Sequence, residues 1–405
     1  AYPLLGYYLG YAHGLAGRGE DAAAWYEKAA AMKPDLCFPH RNESILVLEA
    51  AMQAKPNDAR SPYYLGNLWY GKRQHKAAIQ AWEHSRELDP MFPTVHRNLG
   101  LAYFNQRQDH TSADAAYQKA FELDPTDARV LFELDQLQRR IGRPVTERRA
   151  RLDQHLDVVN ERDDLYLERV TLLNTLGRCD DALALIAARK FHPWEGGEGK
   201  VPGQYVFSIV ALGQQKIAVG QAGEAIELLK QALVWPHNLG EGQLPNATLN
   251  DVHYQIGCAY ESLGDLEHAR EHWGLATRGD SEPTSALYYN DAPPELIFYQ
   301  GMALRKLGRE DEAKGRFNRL IEYGEKHLFD QVVIDYFAVS LPDFLIFEED
   351  LQRRNTLHCH LVMGLGRLGL GQCDRAAKHL ADVIAIDPAH QGALRHLEMS
   401  RESLG

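Results

Sequence analysis

Small, apolar and aromatic residues return along this chain at a spacing of about 34 positions, the length of one helix-turn-helix unit. The clearest run reads Leu65-Gly66, Trp69, Ala78, Trp82, Ser85 and Asp89-Pro90. The next reads Leu99-Gly100, Tyr103, Ala113, Tyr117, Ala120 and Asp124-Pro125, with one more residue in its turn. Each position has a physical reason. Small residues such as Gly66 and Ala78 let two antiparallel helices approach, Trp82 fills the gap to the next pair, and Pro90 cannot continue the helix before it. The frame recurs at Leu9-Gly10, Gly17, Ala22 and Tyr26; at Leu212-Gly213, Gly220, Ala225 and Leu229; and at Ile256-Gly257, Tyr260, Gly264, Ala269 and Trp273. It returns again at Gly301, Leu304, Gly308, Ala313 and Phe317, and at Met363-Gly364, Gly371, Ala376 and Leu380. Between 127 and 190 it thins to Leu134, Gly142, Leu173, Gly177, Ala182 and Ile186.

These residues resemble the tetratricopeptide repeat family, whose pattern is a large residue, Leu-Gly, Tyr, a turn Gly, Ala, an aromatic, Ala and Pro. The resemblance implies an all-α, right-handed superhelical solenoid of antiparallel helix hairpins, about nine repeats with long insertions between them. Residues 1–405 are expected as one array: regular repeats over 1–126, degenerate ones over 127–190, repeats with long insertions over 191–388, and a helix over 389–405 that closes the open end of the stack.

The period also breaks in places. Between Pro34 and Pro56 there is room for one helix only, Glu43 to Ala54. The stretch from Phe191 to Pro202 is too rich in Gly and Pro for a helix, and so is Pro236 to Asn246. A third insertion runs from Gly279 to Pro294, and a fourth, Tyr323 to Asn355, has room for its own helix.

Composition narrows the functions. With 405 residues, 45% of them hydrophobic, the chain has ample material for a large core. A formal charge of −12 without a dense Lys/Arg block argues against nucleic acid. The apolar runs are too short to span a membrane. The five cysteines are scattered, with no C-x-x-C, which argues against a disulfide framework or structural zinc and favours a reducing, cytoplasmic setting. Ala1 is not an initiator Met and already sits inside the repeat pattern, so the chain reads as cut from something longer; a removed leader would look the same.

In stacked hairpins the first helix of each pair lines the inner surface, so its solvent-facing residues are the natural contacts for a partner. That face is expected to present Tyr7, Tyr11, Arg60, Tyr63, Asn67, Tyr70, Arg97, Asn98, Leu101, Phe104 and Asn105. Aromatics mixed with Arg and Asn suit peptide binding, and the alternative is that several of them only pack against neighbouring helices. Some members of the family hold a ligand's terminal carboxylate with Lys, Asn, Asn, Lys and Arg on three successive repeats. Asn67, Asn98 and Arg129 match three of those places, but Tyr63 replaces the first Lys and Glu133 the last Arg, and Glu133 would repel a carboxylate.

A second candidate site lies in the insertions. His192, Trp194, Glu195, Glu198 and Lys200, with His237 and Glu241 from the next insertion and Tyr288, Tyr289, Asn290 and Asp291 from the third, would wall a polar pocket suited to a sugar. The rival reading has Trp194 plugging an apolar gap while the carboxylates cap helices. His358-Cys359-His360 has metal-ligand types, but residues two apart on a helix point to different sides and no second ligand pair is evident, so no metal site is expected. Gly364-Leu365-Gly366-Arg367-Leu368-Gly369 imitates a dinucleotide fingerprint but has no strand before it.

Around 191–205, 288–295 and 335–347 the chain resembles the C-terminal repeat region of large bacterial proteins in which a β-rich domain precedes the repeats. That resemblance implies an accessory role. The expected function is a non-catalytic scaffold that holds a protein, a peptide or a preceding domain, without a cofactor; the alternative is a glycan-binding or glycan-processing pocket with carbohydrate as partner.

Overall fold

The computed structural model describes residues 2–244, 247–285, 291–333 and 346–402, and among these all regular structure is helical. The chain divides into two compact units, Ala1–Leu137 and Gln138–Gly405. The first holds α1 (Pro3–Leu15), α2 (Gly19–Ala30), α3 (Glu43–Ala54), α4 (Arg60–Gly71), α5 (His75–Leu88), α6 (Pro93–Ala102), α7 (His110–Leu123) and most of α8 (Ala128–Arg140). The second holds α9 (Val145–Gln154), α10 (Leu156–Val159), α11 (Asp163–Thr175), α12 (Cys179–Ala188), α13 (Lys200–Ala218), α14 (Ala222–Gln231) and α15 (Asn250–Ser262). It continues with α16 (Leu266–Ala276), α17 (Pro294–Lys306), α18 (Glu310–His327), α19 (Leu351–Gly369), α20 (Cys373–Ile386) and α21 (Gln391–Glu402).

Helices pack in sequential pairs because the repeat frame supplies a gap in one and a ring in the other. In α4 a Cβ at Gly66 would lie 2.4 Å from the indole of Trp82 on α5; in α6 one at Gly100 would lie 2.5 Å from the ring of Tyr117 on α7. Gly257 meets Trp273, and Gly301 meets Phe317, in the same way at 2.4 Å. The aromatic sits on bare backbone, and each such ring is buried. Full burial of a ring of this size contributes roughly 2–3 kcal/mol. The unit of 138–405 has a continuous core built of these contacts, including Trp273, Phe298, Tyr299, Phe317, Leu365 and Leu380.

The second repeat's extra residue is absorbed inside the helix. After α6 the backbone runs on as a π-helical turn, Tyr103–Arg107, and stops at Gln108, whose φ of 52° is left-handed. A one-residue insertion widens a helical turn in this way. The lone helix expected between Pro34 and Pro56 is α3.

One boundary differs from the sequence expectation. The insertion that begins at Phe191 ends at Gly199, and Lys200, Val201 and Pro202 form the first turn of α13. Proline is tolerated there because the first N–H groups of a helix have no intrahelical acceptor to lose. The helix expected within 323–355 falls largely on 334–345, outside the described residues, while α18 runs on to His327 and α19 begins at Leu351. Among the described residues no helix is long and apolar enough to cross a membrane.

Candidate functional site

In the unit of 1–137 the first-helix residues Asn67 (α4), Arg97 and Asn98 (α6), and Arg129 (α8) are joined in one hydrogen-bond network. Its centre is Glu133. Arg97 donates to it from Nε (2.6 Å to Oε2) and Nη2 (2.6 Å to Oε1), Arg129 donates from Nε (2.8 Å to Oε1), and the Tyr117 hydroxyl donates at 2.9 Å to Oε2. Arg97 Nη1 also reaches Asn98 Oδ1 at 3.3 Å, and Asn98 Nδ2 donates to Asn67 Oδ1 at 3.1 Å. Trp82 Nε1 donates to the same Asn67 oxygen at 3.1 Å, so two donors fix the amide.

The electrostatics follow from burial. Glu133 has no exposed side-chain surface. Burial pushes its carboxyl up, but hydrogen bonds and charge from Arg97, then Arg129, outweigh that and hold it below the ordinary carboxylate value. Arg97 is held in its charged form by the same contact, against a burial cost that acts the other way. The carboxylate that the sequence reading treats as a repeller of ligand carboxylates is therefore itself the anion that these arginines bind.

The other first-helix residues separate into core and rim. Tyr7 is fully buried and donates to Asp58 Oδ2 at 2.7 Å; burial, then the Asp58 charge, raises its pKa far above the usual phenol value. Tyr63 is 4% exposed, packed edge-on against Phe92. Asn98 is buried. The expectation that Tyr7, Tyr63 and Asn98 face solvent is thus corrected: the two rings complete the interhelix core, and the Asn98 amide is taken up by Arg97 and Asn67. Tyr11 is half-buried. Arg60 lies 3.6 Å over the Phe92 ring and 3.4 Å from Asp89. Tyr70 sits between His75 and Trp82, and Phe104 stacks on His110.

The first two long insertions fold onto each other. Phe191 is buried, its N–H donates to Asn238 O at 2.8 Å, and Asn238 Nδ2 returns bonds to Ile186 O and Arg189 O. Gly199 N–H donates to Glu241 Oε2 at 2.8 Å. Asp163 accepts from Arg189 Nε and from the His192 backbone, fixing the start of the first insertion. Trp194 is half-buried over its own loop, where a Cβ at Gly197 would lie 2.2 Å from the indole. His192, Glu195, Glu198, Lys200 and His237 are exposed. Burial, with nearby Glu198, raises the Glu241 carboxyl despite the Gly199 bond. Asp291 accepts from Ser285 at 3.3 Å; Tyr288, Tyr289 and Asn290 lie outside the described residues.

In the unit of 138–405 the first helices α11, α13, α15, α17 and α19 neighbour one another in sequence, and α21 lies on that row. Gln391 donates to Thr171 O (3.1 Å) and exchanges amide bonds with Gln204. Arg395 donates to Phe207 O and stacks 4.0 Å over the Phe207 ring. His396 packs on Phe298 and Tyr299, and Glu295 presses on the backbone at Gly392. Residues spaced by one turn on α21 thus touch α11, α13 and α17, contacts that the sequence reading did not foresee.

His358 and His360 diverge as helix geometry requires: His358 Nε2 pairs with Thr284 O, whereas His360 faces α20. Cys359 between them is buried.

Residues 65–128, 251–272 and 295–323 match the tetratricopeptide repeat family. Tetratricopeptide repeat protein 37 of Xenopus laevis is 33% identical over 85 residues, which is 20% of this chain and 5% of that protein. Similarity extends to the solved structure of YrrB, a tetratricopeptide repeat protein with an unusual peptide-binding site, at 14% identity over 56% of this chain and 89% of that one, with a TM-score of 0.31. A tetratricopeptide repeat protein from Parabacteroides merdae is similar at 12% identity over 73% of this chain and 96% of that one, with a TM-score of 0.31. The repeat frame, the helix pairs it builds and the three family matches identify tetratricopeptide repeats in this chain over residues 65–128, 251–272 and 295–323.

Proposed function

We propose that this chain is a non-catalytic protein-interaction scaffold whose first-helix rows are its contact surfaces. Folds of this family mediate protein-protein interaction, and the observation that carries the reading here is α21, a helix held along the row of the unit of 138–405 by side chains from several repeats. A row that seats one helix through spaced anchors is suited to helix-in-groove recognition. In the unit of 1–137, Glu133 is already the anion that Arg97 and Arg129 both bind, so the partner segment is read by amide and aromatic contacts rather than through a terminal carboxylate. The finer placing, as the accessory repeat region of a larger bacterial protein, rests on the resemblance of the inserted segments.

The test is capture with photo-cross-linking at Asn67 and Arg129. A partner should cross-link at both positions, and Asn67→Ala with Arg129→Ala should abolish capture while helical circular dichroism stays unchanged. Capture that survives this double substitution, with cross-links away from the row, would sink the reading.

A further inference from the structure

His360 on α19 and His379 on α20 face each other with Nδ1 atoms 3.0 Å apart. Asp382 Oδ2 lies 3.5 Å from His360 Nδ1, and the three ligand atoms all fall within 4.8 Å of one another. Donors about 2.0–2.1 Å from a tetrahedral ion stand roughly 3.3 Å apart, so the separations of His360 from His379 and from Asp382 are those of a coordination shell, and the third lies within a side-chain rotation of it. The repeat frame produces this convergence. Gly364, one turn after His360, lets α20 close in: a Cβ there would lie 2.9 Å from Leu380 and 3.5 Å from the His379 Cβ. His379 and Asp382 are three apart on α20 and so share a face. With side chains 20% exposed at His360 and 45% at Asp382, the cluster is sheltered but reachable. Arg367, whose charge acts on His379, is taken up by Glu325 at 2.9 Å and Gln372 at 2.9 Å.

A second pair supplies an internal comparison. His253 and His272 have Nδ1 atoms 3.1 Å apart and the same sequence separation, 19 residues, as His360 and His379. Leu275 stands where Asp382 would be. The frame alone therefore gives facing imidazoles joined by one hydrogen, and the acid is what completes a set of three ligands. We propose that His360, His379 and Asp382 form a binding site for a divalent transition-metal ion of the zinc class, with water in the fourth position. Two imidazoles and one carboxylate suit zinc, cobalt, nickel or copper rather than magnesium or calcium, which take all-oxygen shells. A bound ion would also tie α19 to α20.

The untagged chain, stripped with a chelator, is titrated with ZnCl2 and CoCl2. One ion per chain is expected, with the strong visible absorption of four-coordinate cobalt and a rise in Tm at saturating zinc. Asp382→Asn and His379→Ala should each weaken zinc binding by at least about 10–100-fold, the loss seen when even an outer-shell partner of a metal ligand is removed. His253→Ala should leave binding unchanged. Asp382→Asn alters a partly exposed helix position and keeps the test valid should His379→Ala misfold. Equal affinity in Asp382→Asn and the native chain, loss of binding in His253→Ala, or no cobalt band would overturn the proposal and leave a His-His hydrogen bond only.

Discussion

Arg97 grips Glu133 in a two-pronged fork, Nε to Oε2 and Nη2 to Oε1 at 2.6 Å each, between residues 36 positions apart. The glutamate side chain is 0% exposed and the arginine only 16%, so the carboxylate has no water to fall back on and the guanidinium little. Tyr117 and Arg129 fill the remaining acceptor capacity of the carboxylate. The network thus joins three first helices through one buried anion.

Arg97→Ala leaves that anion without its main partner and is expected to cost about 3–5 kcal/mol of stability. Arg129, 61% exposed, should cost no more than about 1 kcal/mol when replaced by alanine. Replacing both members, Arg97→Met with Glu133→Leu, should recover most of the loss. Urea denaturation of the three variants measures the order; equal costs for Arg97→Ala and Arg129→Ala would refute it.

The final helix should loosen in mild acid. Burial holds His396 at about 3, with the Arg395 and His390 charges adding to this and only the Gly392 carbonyl opposing. A histidine depressed in the folded state contributes stability that is complete above its unfolded value of about 6.5 and is lost as pH falls towards the folded value. Glu133 is depressed too, but its contribution persists until pH drops below about 4.3. Hydrogen exchange corrected for intrinsic rate should therefore accelerate over 391–402 between pH 7 and 5, before it does over 128–137. His396→Leu should flatten that dependence.

Removing the guanidinium of Arg395 deletes both its bond to Phe207 O and its stacking on that ring. A loss of roughly 1–3 kcal/mol is expected, confined to the seating of α21. Limited proteolysis should then cut between α20 and α21 sooner than in the native chain, with Tm of the remaining core little changed.

Gly66→Ala should destabilise by about 1–3 kcal/mol, because its Cβ would meet the Trp82 ring at 2.4 Å in a filled core. Gly203, in α13 with no heavy atom within 4 Å of an added Cβ, should instead gain up to about 1 kcal/mol on becoming alanine. Thermal denaturation of the pair separates close approach from helix propensity.

Much of this architecture could be read in one dimension. A Gly followed by an aromatic at a fixed offset, as Gly66 with Trp82 and Gly257 with Trp273, is a contact between sequential helices, and pattern along the chain reports such contacts directly. Residues that meet across the stack leave no such trace. Gln391 touches Thr171 across 220 positions, and nothing in the spacing of either announces the other. Glu133 illustrates a different loss: its sign is visible in the sequence, but whether it faces a ligand or the chain's own arginines depends on how α6 and α8 are set. His360 was legible only as half of a poor motif, since its partners His379 and Asp382 lie on the next helix. The pairing of His253 with His272 at the same interval was the available clue.

The seating of α21 has a kinetic and concentration meaning. On the scaffold function proposed above, α21, joined to α20 by a short connection, would act as a tethered competitor at an effective concentration in the millimolar range. An incoming helix of equal intrinsic affinity would have to reach about that concentration to win the row half of the time, so that weak encounters would be turned away in favour of a tightly anchored segment.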